Sequence, residues 1–357
     1  MGLFRFLLAL SVVLEHLGGS FQLIGGWRAV QIFYFVSGFY MSLILNGKYR
    51  DARYTTFLGN RLLRLFPIYY ISLLLLLARW LTSYLHHVPC KYYFPHCGDI
   101  EWQSKLTPFF LIFTQIALLG QDWLFFLKLD PKGVLHFAKN GLTESFQAYP
   151  YNINPVSWTL GLELTFYLIA PFLLRRKQHT LWIAILFSIS LRLIGNSLLD
   201  LSGLTWLYRF FPFEIALFLL GSVLQRLYSS ILEKKFDRSK NLTYSLSLIG
   251  ILLTLIFNLA DKNYGLPTLL YYLIIGLCIP ALFHLTKKNS FDRKVGELSY
   301  PIYLLHMPVC SLASKWVTHN PIILILWVLI TAFLVNKLVT EPLDRYRETR
   351  LKRELNR

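Results

Sequence analysis

Apolar runs long enough to span a lipid bilayer follow one another through almost the whole of this chain. A spanning helix needs about 20 predominantly apolar residues, and eleven stretches approach that length. Hydrophobic residues make up 55% of the 357 residues, and the mean hydropathy is +0.47. These values exclude an ordinary soluble domain and predict an all-α, polytopic membrane protein, because helices satisfy their own backbone groups in lipid. The runs lie near 3–22, 27–46, 66–86, 106–127, 157–174, 181–199, 204–227, 242–260, 266–286, 298–317 and 321–340.

The formal net charge of +17 is distributed in the way that membrane topology requires. Lysine and arginine concentrate at the ends of the apolar runs, and cytoplasmic loops typically carry such an excess. We therefore predict no nucleic-acid partner, although some of these cations remain candidates for binding a cytoplasmic anion such as a nucleotide cofactor. The basic clusters are 61–64, 175–177, 234–235, 287–288 and the tail after 345.

Charge also predicts how often the chain crosses the membrane. The basic segment 48–64 and the basic tail, about 343–357, are both expected in the cytoplasm, so the number of crossings should be even. Run 106–127 is the best candidate for a run that does not cross, since a long mixed segment, 128–156, follows it instead of a short loop. We expect about ten spanning helices, with 106–127 re-entrant or interfacial on the outer side, in one integral-membrane domain over 1–357.

Two of the four cysteines flank a short polar and aromatic loop, CKYYFPHC. In this topology Cys90 and Cys97 lie outside the membrane, where a disulfide is favoured. A zinc site that combines them with His86, His87 and His96 is a weaker alternative, because their spacing matches no common zinc pattern. We predict no metal centre.

Three ionisable residues lie inside the first apolar run, RFLLALSVVLEHL. Charged groups in lipid are costly and usually functional. Arg5 and His16 are eleven residues apart, so they share one helix face and lie roughly 16 Å apart along the axis. This arrangement suits an anion at one end and proton transfer at the other. Alternatively, Arg5 is only a topology signal, and His16 is an interior histidine whose hydrogen bonds are satisfied within the fold.

Arg61 and Arg64, in the segment NRLLRLFPIYY, form a second cationic feature. Residues three apart share a helix face, and two guanidinium groups at this spacing suit a phosphate or pyrophosphate. The alternative is an ordinary topology anchor.

Two further titratable groups are expected within the membrane. Glu163 lies two turns inside the run that follows NPVSW, where a structural pair with Arg192 or Arg209 is one explanation. His306 is a second intramembrane imidazole, seven residues after Ser299 and on the same helix face.

Taken together, these segments resemble the membrane-bound acyltransferase family 3. The motifs occur in the order of that family and extend from residue 5 to 342. Glu15 departs from the expected pattern, in which a neutral residue precedes the histidine. The matching segments are Arg5 with His16, FVSGF at 35–39, RLLRLFP at 61–67, SWTLGLE at 157–163, LSYPIYLLH at 298–306 and Glu341-Pro342.

The resemblance implies an enzyme that takes an acyl group, usually acetyl, from cytoplasmic acyl-CoA and delivers it to a hydroxyl group at the opposite membrane face. His16 is the best candidate base, because an imidazole titrates near neutral pH. Arg5, Arg61 and Arg64 would hold the phosphates of acetyl-CoA, although Arg5 has an alternative role in orienting the thioester. Glu163 or His306 would orient the acceptor or relay a proton.

By the same analogy we expect a bacterial inner-membrane protein with both termini in the cytoplasm. Its partners would be acyl-CoA, membrane lipids and a glycan or lipid-linked glycan, such as an O-antigen surface polysaccharide. The rival function is a transporter or flippase of a lipid-linked glycan. Transporters often repeat broken helices in corresponding halves, and this sequence has no such internal symmetry.

Overall fold

The computed structural model describes residues 1–18, 22–89, 98–201, 203–256 and 265–356. The predicted disulfide between Cys90 and Cys97, and the zinc alternative that includes His96, lie outside these residues.

All eleven apolar runs fold mainly as helices, so the all-α membrane prediction is confirmed. Run 204–227 is divided into two helices beside Pro212. The helices are α1 (Gly2–His16), α2 (Gly26–Asn46), α3 (Tyr54–Leu85), α4 (Leu106–Ala117), α5 (Trp158–Leu173), α6 (Gln178–Leu198), α7 (Gly203–Arg209), α8 (Phe211–Leu227), α9 (Glu233–Arg238), α10 (Lys240–Ile256), α11 (Leu266–Thr286), α12 (Ser290–Glu297), α13 (Ser299–Trp316), α14 (Pro321–Val335) and α15 (Glu341–Leu355).

Within the described residues, six helical stretches are long and apolar enough to cross a membrane. Helices α4, α5 and α10 are apolar but shorter. The ten crossings therefore stay a prediction. The six stretches are Gly26–Asn46, Tyr54–Leu85, Gln178–Leu198, Phe211–Arg238, Pro267–Thr286 and Pro321–Leu355.

The last helix corrects the expected role of Pro342. A proline after an apolar run indicates a helix stop, but α14 continues through a π-helical turn, Asn336–Thr340, into α15. Pro342 directly follows this turn, and the irregular hydrogen bonding of a π-helical turn accommodates a proline inside a continuous helix. The tail is a helix that packs on α3, and Glu354 there accepts hydrogen bonds from Arg53 N, at 2.6 Å, and from Thr56 Oγ1.

Segment 106–127 is only partly one helix. Helix α4 has 12 residues, about 18 Å at 1.5 Å per residue, and a 3-10 helix follows at Trp123–Phe126. Two short antiparallel strands, β1 (Leu127–Leu129) and β2 (Leu135–Phe137), then add a hairpin to the otherwise helical fold. The chain before α4 is bonded to this hairpin, since Glu101 N donates to Pro131 O at 2.8 Å and Gln103 N to Lys132 O at 3.1 Å.

Helix α2 forms the centre of the bundle and packs along α8, with further contacts to α1, α5 and α11. The crossing of α2 and α8 requires glycine on both helices. A Cβ at Gly38 would lie 1.8 Å from Phe218 O, and a Cβ at Gly221 would lie 2.0 Å from Phe35 O. Ser222 Oγ donates to Gly38 O at 3.0 Å across the same contact. Small residues thus permit the close approach, as expected for membrane helices.

A buried carboxylate also ties α8 to its neighbours. Glu214 is fully buried and accepts from Gln31 Nε2 at 2.9 Å, while Arg192 Nη1 lies 3.7 Å away. Arg192 is therefore a partner of Glu214, and the proposed pairing of Arg192 with Glu163 is wrong.

The close crossing of α2 and α8 gives a stability prediction. Gly38→Ala or Gly221→Ala should destabilise the protein by about 1–3 kcal/mol, because the new methyl group meets backbone. The matched control is Gly276→Ala, whose Cβ would meet Leu224 Cδ1 at an ordinary 3.7 Å. Thermal unfolding in detergent measures the effect, and equal midpoints for Gly38→Ala and Gly276→Ala would contradict the packing argument.

Candidate active site

Three cavities follow one another through the helix bundle. The first, which we call the basic cavity, has a volume of about 340 Å³ and includes Arg5, Arg61 and Arg64 in its lining. It shares Arg5 and Arg64 with a narrow second cavity of about 90 Å³, the neck. The neck in turn shares Val30 and Tyr303 with a third of about 800 Å³, the aromatic cavity, which His16 lines. The arginines and the histidine predicted from the sequence thus lie along one internal path.

The basic cavity carries an excess of positive charge. Two of its three acidic side chains have partners: Asp292 accepts from Gly2 N and Leu3 N at the start of α1, and Asp344 pairs with Arg347 at 2.5 Å. The basic residues of its lining are Arg5, Lys48, Arg61, Arg64, Lys287, Arg293 and Arg347, and the acidic ones are Asp292, Glu297 and Asp344.

Two arginines of the basic cavity, Arg61 and Arg347, carry buried donor atoms. Arg61 is 4% exposed, and its guanidinium carbon lies 5.8 Å from the ring centre of Tyr49 and 6.0 Å from that of Phe57. Among the described side chains, Arg61 Nε and Arg347 Nε and Nη1 are buried donors without a hydrogen-bond partner. The excess of cations in the lining fits a ligand with several anionic oxygens, because guanidinium groups bind such oxygens in pairs.

Glu163 lies in the neck, together with Arg5 and Arg64. Ser37 Oγ donates to its Oε1 at 3.0 Å, and Tyr167 OH donates to the same oxygen. The donors to its carboxylate are thus a serine of α2 and a tyrosine one turn along its own helix, α5.

Arg209, the other proposed partner of Glu163, lies instead among aromatic rings. Its guanidinium carbon is 4.4 Å from the ring centre of Phe125 and 5.1 Å from that of Trp158. A structural pair of Glu163 with Arg209 is thus also wrong.

His16 and His306 contact each other, although they lie 290 residues apart in the chain. His16 Nδ1 is 3.3 Å from His306 Nε2, and the ring centres are 5.0 Å apart. Each Nδ1 also faces a backbone carbonyl: that of His16 lies 2.9 Å from Val12 O, and that of His306 lies 2.6 Å from Tyr303 O.

These contacts assign the tautomers of the two rings. A carbonyl oxygen only accepts, so Nδ1 carries the proton in both imidazoles. Between the rings, His306 Nε2 accepts, so the one proton on His16 Nδ1 is shared between Val12 O at 2.9 Å and His306 Nε2 at 3.3 Å. The lone pair of His16 is left on Nε2, and His16 lines the aromatic cavity whereas His306, 1% exposed, lies behind it. His16 Nε2 is therefore the nitrogen of this pair that keeps a lone pair, since both nitrogens of His306 are engaged.

The unexpected Glu15 has a structural role. Its carboxylate accepts a hydrogen bond from Gly26 N, the first residue of α2. A negative charge at a helix N-terminus is favourable, so this contact holds α1 against α2 beside His16.

Comparison with known proteins identifies the chain. A family model described as an acyltransferase domain, that of acyltransferase family 3, matches residues 1–340. The chain belongs to acyltransferase family 3. The resemblance seen in the motifs is therefore confirmed, and so is the prediction of an acyltransferase. Together with the apolar helices, membership of this family supports a multi-pass membrane protein.

Curated relatives of this family-3 chain include proteins with informative names. O-acetyltransferase OatA of Staphylococcus aureus is 24% identical over 376 aligned positions, which cover 97% of this chain and 55% of OatA. Nodulation protein 10 of Rhizobium leguminosarum is 26% identical, over 84% of this chain and 76% of that protein. An uncharacterized protein of Aquifex aeolicus is 31% identical over an alignment that covers 44% of this chain and 70% of that protein. The chain thus spans about half the length of OatA, and no solved structure matches it.

Sequence reasoning missed some residues of the family-3 site. Arg347 was counted only as tail charge, yet it lines the basic cavity beside Arg61. Arg79 lines the aromatic cavity, and its position inside the apolar run LLLLLARW was a signal that marks functional charges in membranes. Ser299, noted in the sequence only for its spacing from His306, lies in the neck, where its Oγ donates to Gly296 O at 2.6 Å.

Within the described ranges, no group of three or more His, Cys, Asp or Glu side chains is arranged to hold a metal ion.

Proposed function

We propose that this chain is a membrane O-acetyltransferase that moves an acetyl group from cytoplasmic acetyl-CoA to a hydroxyl group of an envelope glycan. The observation that carries the proposal is the row of cavities, with buried guanidinium groups at one end and a correctly oriented imidazole at the other. The relative OatA is named an O-acetyltransferase, and this name supports acetyl as the transferred group and an oxygen atom as its acceptor. A surface polysaccharide such as O-antigen is the proposed glycan, by family analogy.

The donor would enter through the basic cavity. Arg61, Arg64 and Arg347 would hold its phosphates, because guanidinium groups bind phosphate oxygens in pairs. The acyl-pantetheine arm would then extend through the neck past Arg5 toward His16, roughly 16 Å further along α1. Glu163 lies on this donor side, so we assign it to balancing the cations of the neck and orienting the arm.

The chemistry is direct transfer in one active site. His16 Nε2 takes the proton of the acceptor hydroxyl as its oxygen attacks the thioester carbonyl carbon. A C–O bond forms, the C–S bond breaks, and the proton passes from His16 to the departing thiolate, which leaves as free CoA. His306 is a positioning residue, because its Nε2 accepts from His16 Nδ1–H and stabilises the imidazolium.

We further propose ten crossings of the bacterial inner membrane, with the basic cavity facing the cytoplasm, as the positive-inside rule favours. The hydrogen bonds from Glu101 and Gln103 to the hairpin support a non-crossing α4, since they hold the chain before and after α4 together. Lysines on that outer side have acidic partners, with Lys128 3.1 Å from Glu144 and Lys139 3.0 Å from Asp200.

Transport of a lipid-linked glycan is the rival function. The neck, at about 90 Å³, is much smaller than the roughly 300–1,000 Å³ of typical small-molecule sites. A thin pantetheine arm suits such a passage better than a sugar does, and this favours acyl transfer over glycan transport.

The base is tested by substitution. His16→Ala should lower acetyl transfer by about 10²–10⁴-fold, with normal protein levels in the membrane. His306→Ala should lower kcat and leave the KM for acetyl-CoA unchanged, because it acts through His16. Incorporation of labelled acetyl into envelope glycans by membrane vesicles measures both, and the exposed His179→Ala is the matched control. Wild-type rates for His16→Ala would overturn the assignment.

The donor site is tested by binding. The double variant Arg61→Ala, Arg64→Ala should bind acetyl-CoA at least tenfold more weakly, since each charged hydrogen bond contributes about 1.5–3 kcal/mol. Calorimetry on purified protein measures the affinity. Arg176→Ala, at an exposed arginine in the loop before α6, is the control. An unchanged affinity in the double variant would return both residues to the role of topology anchors.

The topology is tested by labelling single cysteines with an impermeant thiol reagent in spheroplasts, which expose the outer face of the inner membrane, after Cys90→Ser and Cys97→Ser. Asp99→Cys and Lys132→Cys should both react, and Asp51→Cys and Lys234→Cys should react only after the membrane is permeabilised. All four positions are exposed. Labelling of Asp99→Cys without labelling of Lys132→Cys would mean that α4 crosses, contrary to the proposal.

A further inference from the structure

The aromatic cavity contains two arginines on the side opposite to the donor cations. Arg79 belongs to α3 and Arg209 ends α7, and both line the same space of about 800 Å³ as His16. The proposed transfer reaction uses neither of them. Their common position beside the base suggests a role toward the acceptor.

Positive charge at this location has a cost. Arg79 lies within the apolar run LLLLLARW, 15 residues after Arg64, which is about 22 Å further along α3. An arginine inside a membrane is expensive and normally faces a cavity or a partner. Positive residues also concentrate on the cytoplasmic side, so topology does not explain arginines at the other end of the path.

Arg209 is held in a way that pre-organises its guanidinium group. Its central carbon lies 4.4 Å from the ring centre of Phe125, 5.1 Å from that of Trp158 and 5.1 Å from that of Tyr208. Nη1 donates to Leu204 O at 3.0 Å. Arginine stacked on aromatic faces loses little freedom when it binds a planar or tetrahedral anion.

Arg79 is oriented by α13, the helix that carries His306. Its Nε donates to Ser311 O at 3.3 Å, and its Nη1 donates to Ser83 Oγ. Ser311 lines the cavity as well. Both arginines are therefore positioned by packing and hydrogen bonds on helices of the scaffold, as a built binding site requires.

The remaining lining suits a sugar. Trp27, Trp80, Trp158 and Tyr149 contribute aromatic faces, while Gln147 and Asn152 contribute amides. The acidic group of this lining, Glu15, accepts from Gly26 N at the start of α2. Aromatic walls with a few fixed polar groups are typical of small-molecule sites.

We infer that the aromatic cavity binds an anionic saccharide acceptor, whose negative group contacts Arg79 and Arg209 while its hydroxyl reaches His16. This inference rests on the proposed function. The anionic group is a sugar carboxylate or a glycosyl phosphate, and the second source fits an acceptor carried on lipid. Leu76 and Leu77 of α3, a helix long and apolar enough to cross a membrane, also line the cavity, and Leu77 is 38% exposed.

Two pairs of probes, each with one anionic and one neutral member, test the inference with the whole chain in detergent. Hyaluronan tetrasaccharide is compared with neutral chitotetraose, and farnesyl-diphosphate-linked N-acetylglucosamine with the neutral farnesyl glycoside of the same sugar. Binding is followed by quenching of tryptophan fluorescence, because tryptophans line the cavity. At least one anionic probe should bind roughly tenfold more tightly than its neutral partner, a difference of about 1.4 kcal/mol.

The arginine variants then assign the preference to this site. Arg79→Gln and Arg209→Gln should each abolish most of the anionic preference, and Arg209→Lys, which keeps the charge and the packing volume, should retain part of it. Lys139→Gln is the control, since it removes an exposed cation paired with Asp200 near the same end of the bundle. If the anionic probe is preferred only in the hyaluronan pair, the acceptor's charge is a sugar carboxylate. If it is preferred only in the farnesyl pair, the charge is a glycosyl phosphate.

The outcomes separate this inference from the proposed function. Equal affinity for anionic and neutral probes, no binding of either anionic probe at millimolar concentration, or a preference that survives in Arg79→Gln and Arg209→Gln overturns the anionic acceptor. Acetyl-CoA binding to the same preparations is measured in parallel. If acetyl-CoA does not bind, the acyltransfer proposal fails instead, whatever the saccharides do.

Discussion

The cost of placing charge in a low-dielectric membrane organises this structure. Arginine, glutamate and histidine side chains within the apolar helices lie on internal cavities or in buried networks, where hydrogen bonds, aromatic faces and opposite charges offset their desolvation. The carboxylate of Glu214 is one example, because Gln31 and Arg192 offset its desolvation in a purely structural role. Arg61 is stabilised by the rings of Tyr49 and Phe57, and it also lines the basic cavity.

Close helix packing makes these cavities possible. Helix α2 brings Gly38 against α8, while the preceding residue, Ser37, donates to Glu163 in the neck. One turn of helix thus serves the core on one side and the neck on the other. Helix α1 likewise contributes to more than one cavity, since Arg5 lines the basic cavity and the neck, and His16 lines the aromatic cavity. A rigid crossing of α2 and α8 is therefore a condition for the alignment of the site.

The two imidazoles differ in role because their surroundings differ. His306 donates to a backbone carbonyl through Nδ1 and accepts from His16 through Nε2, so both of its nitrogens are engaged. His16 keeps one nitrogen for the cavity. This is the relation between an oriented base and its orienting partner that acyl transfer to a hydroxyl group requires, reached here with a neutral partner in place of a carboxylate.

The amino-acid sequence by itself determined the helical membrane class, the family and most of the site. Apolar length, basic flanks and costly intramembrane charges are local properties, so Arg5, His16, Arg61, Arg64, Glu163 and His306 were all recognisable before any contact was known. Only the tertiary structure decided which of them meet. The contact of His16 with His306, the placement of Glu163 in the neck rather than beside Arg192 or Arg209, and the continuation of the last helix through Pro342 depend on helix packing. Packing joins residues hundreds of positions apart, and no local pattern encodes it.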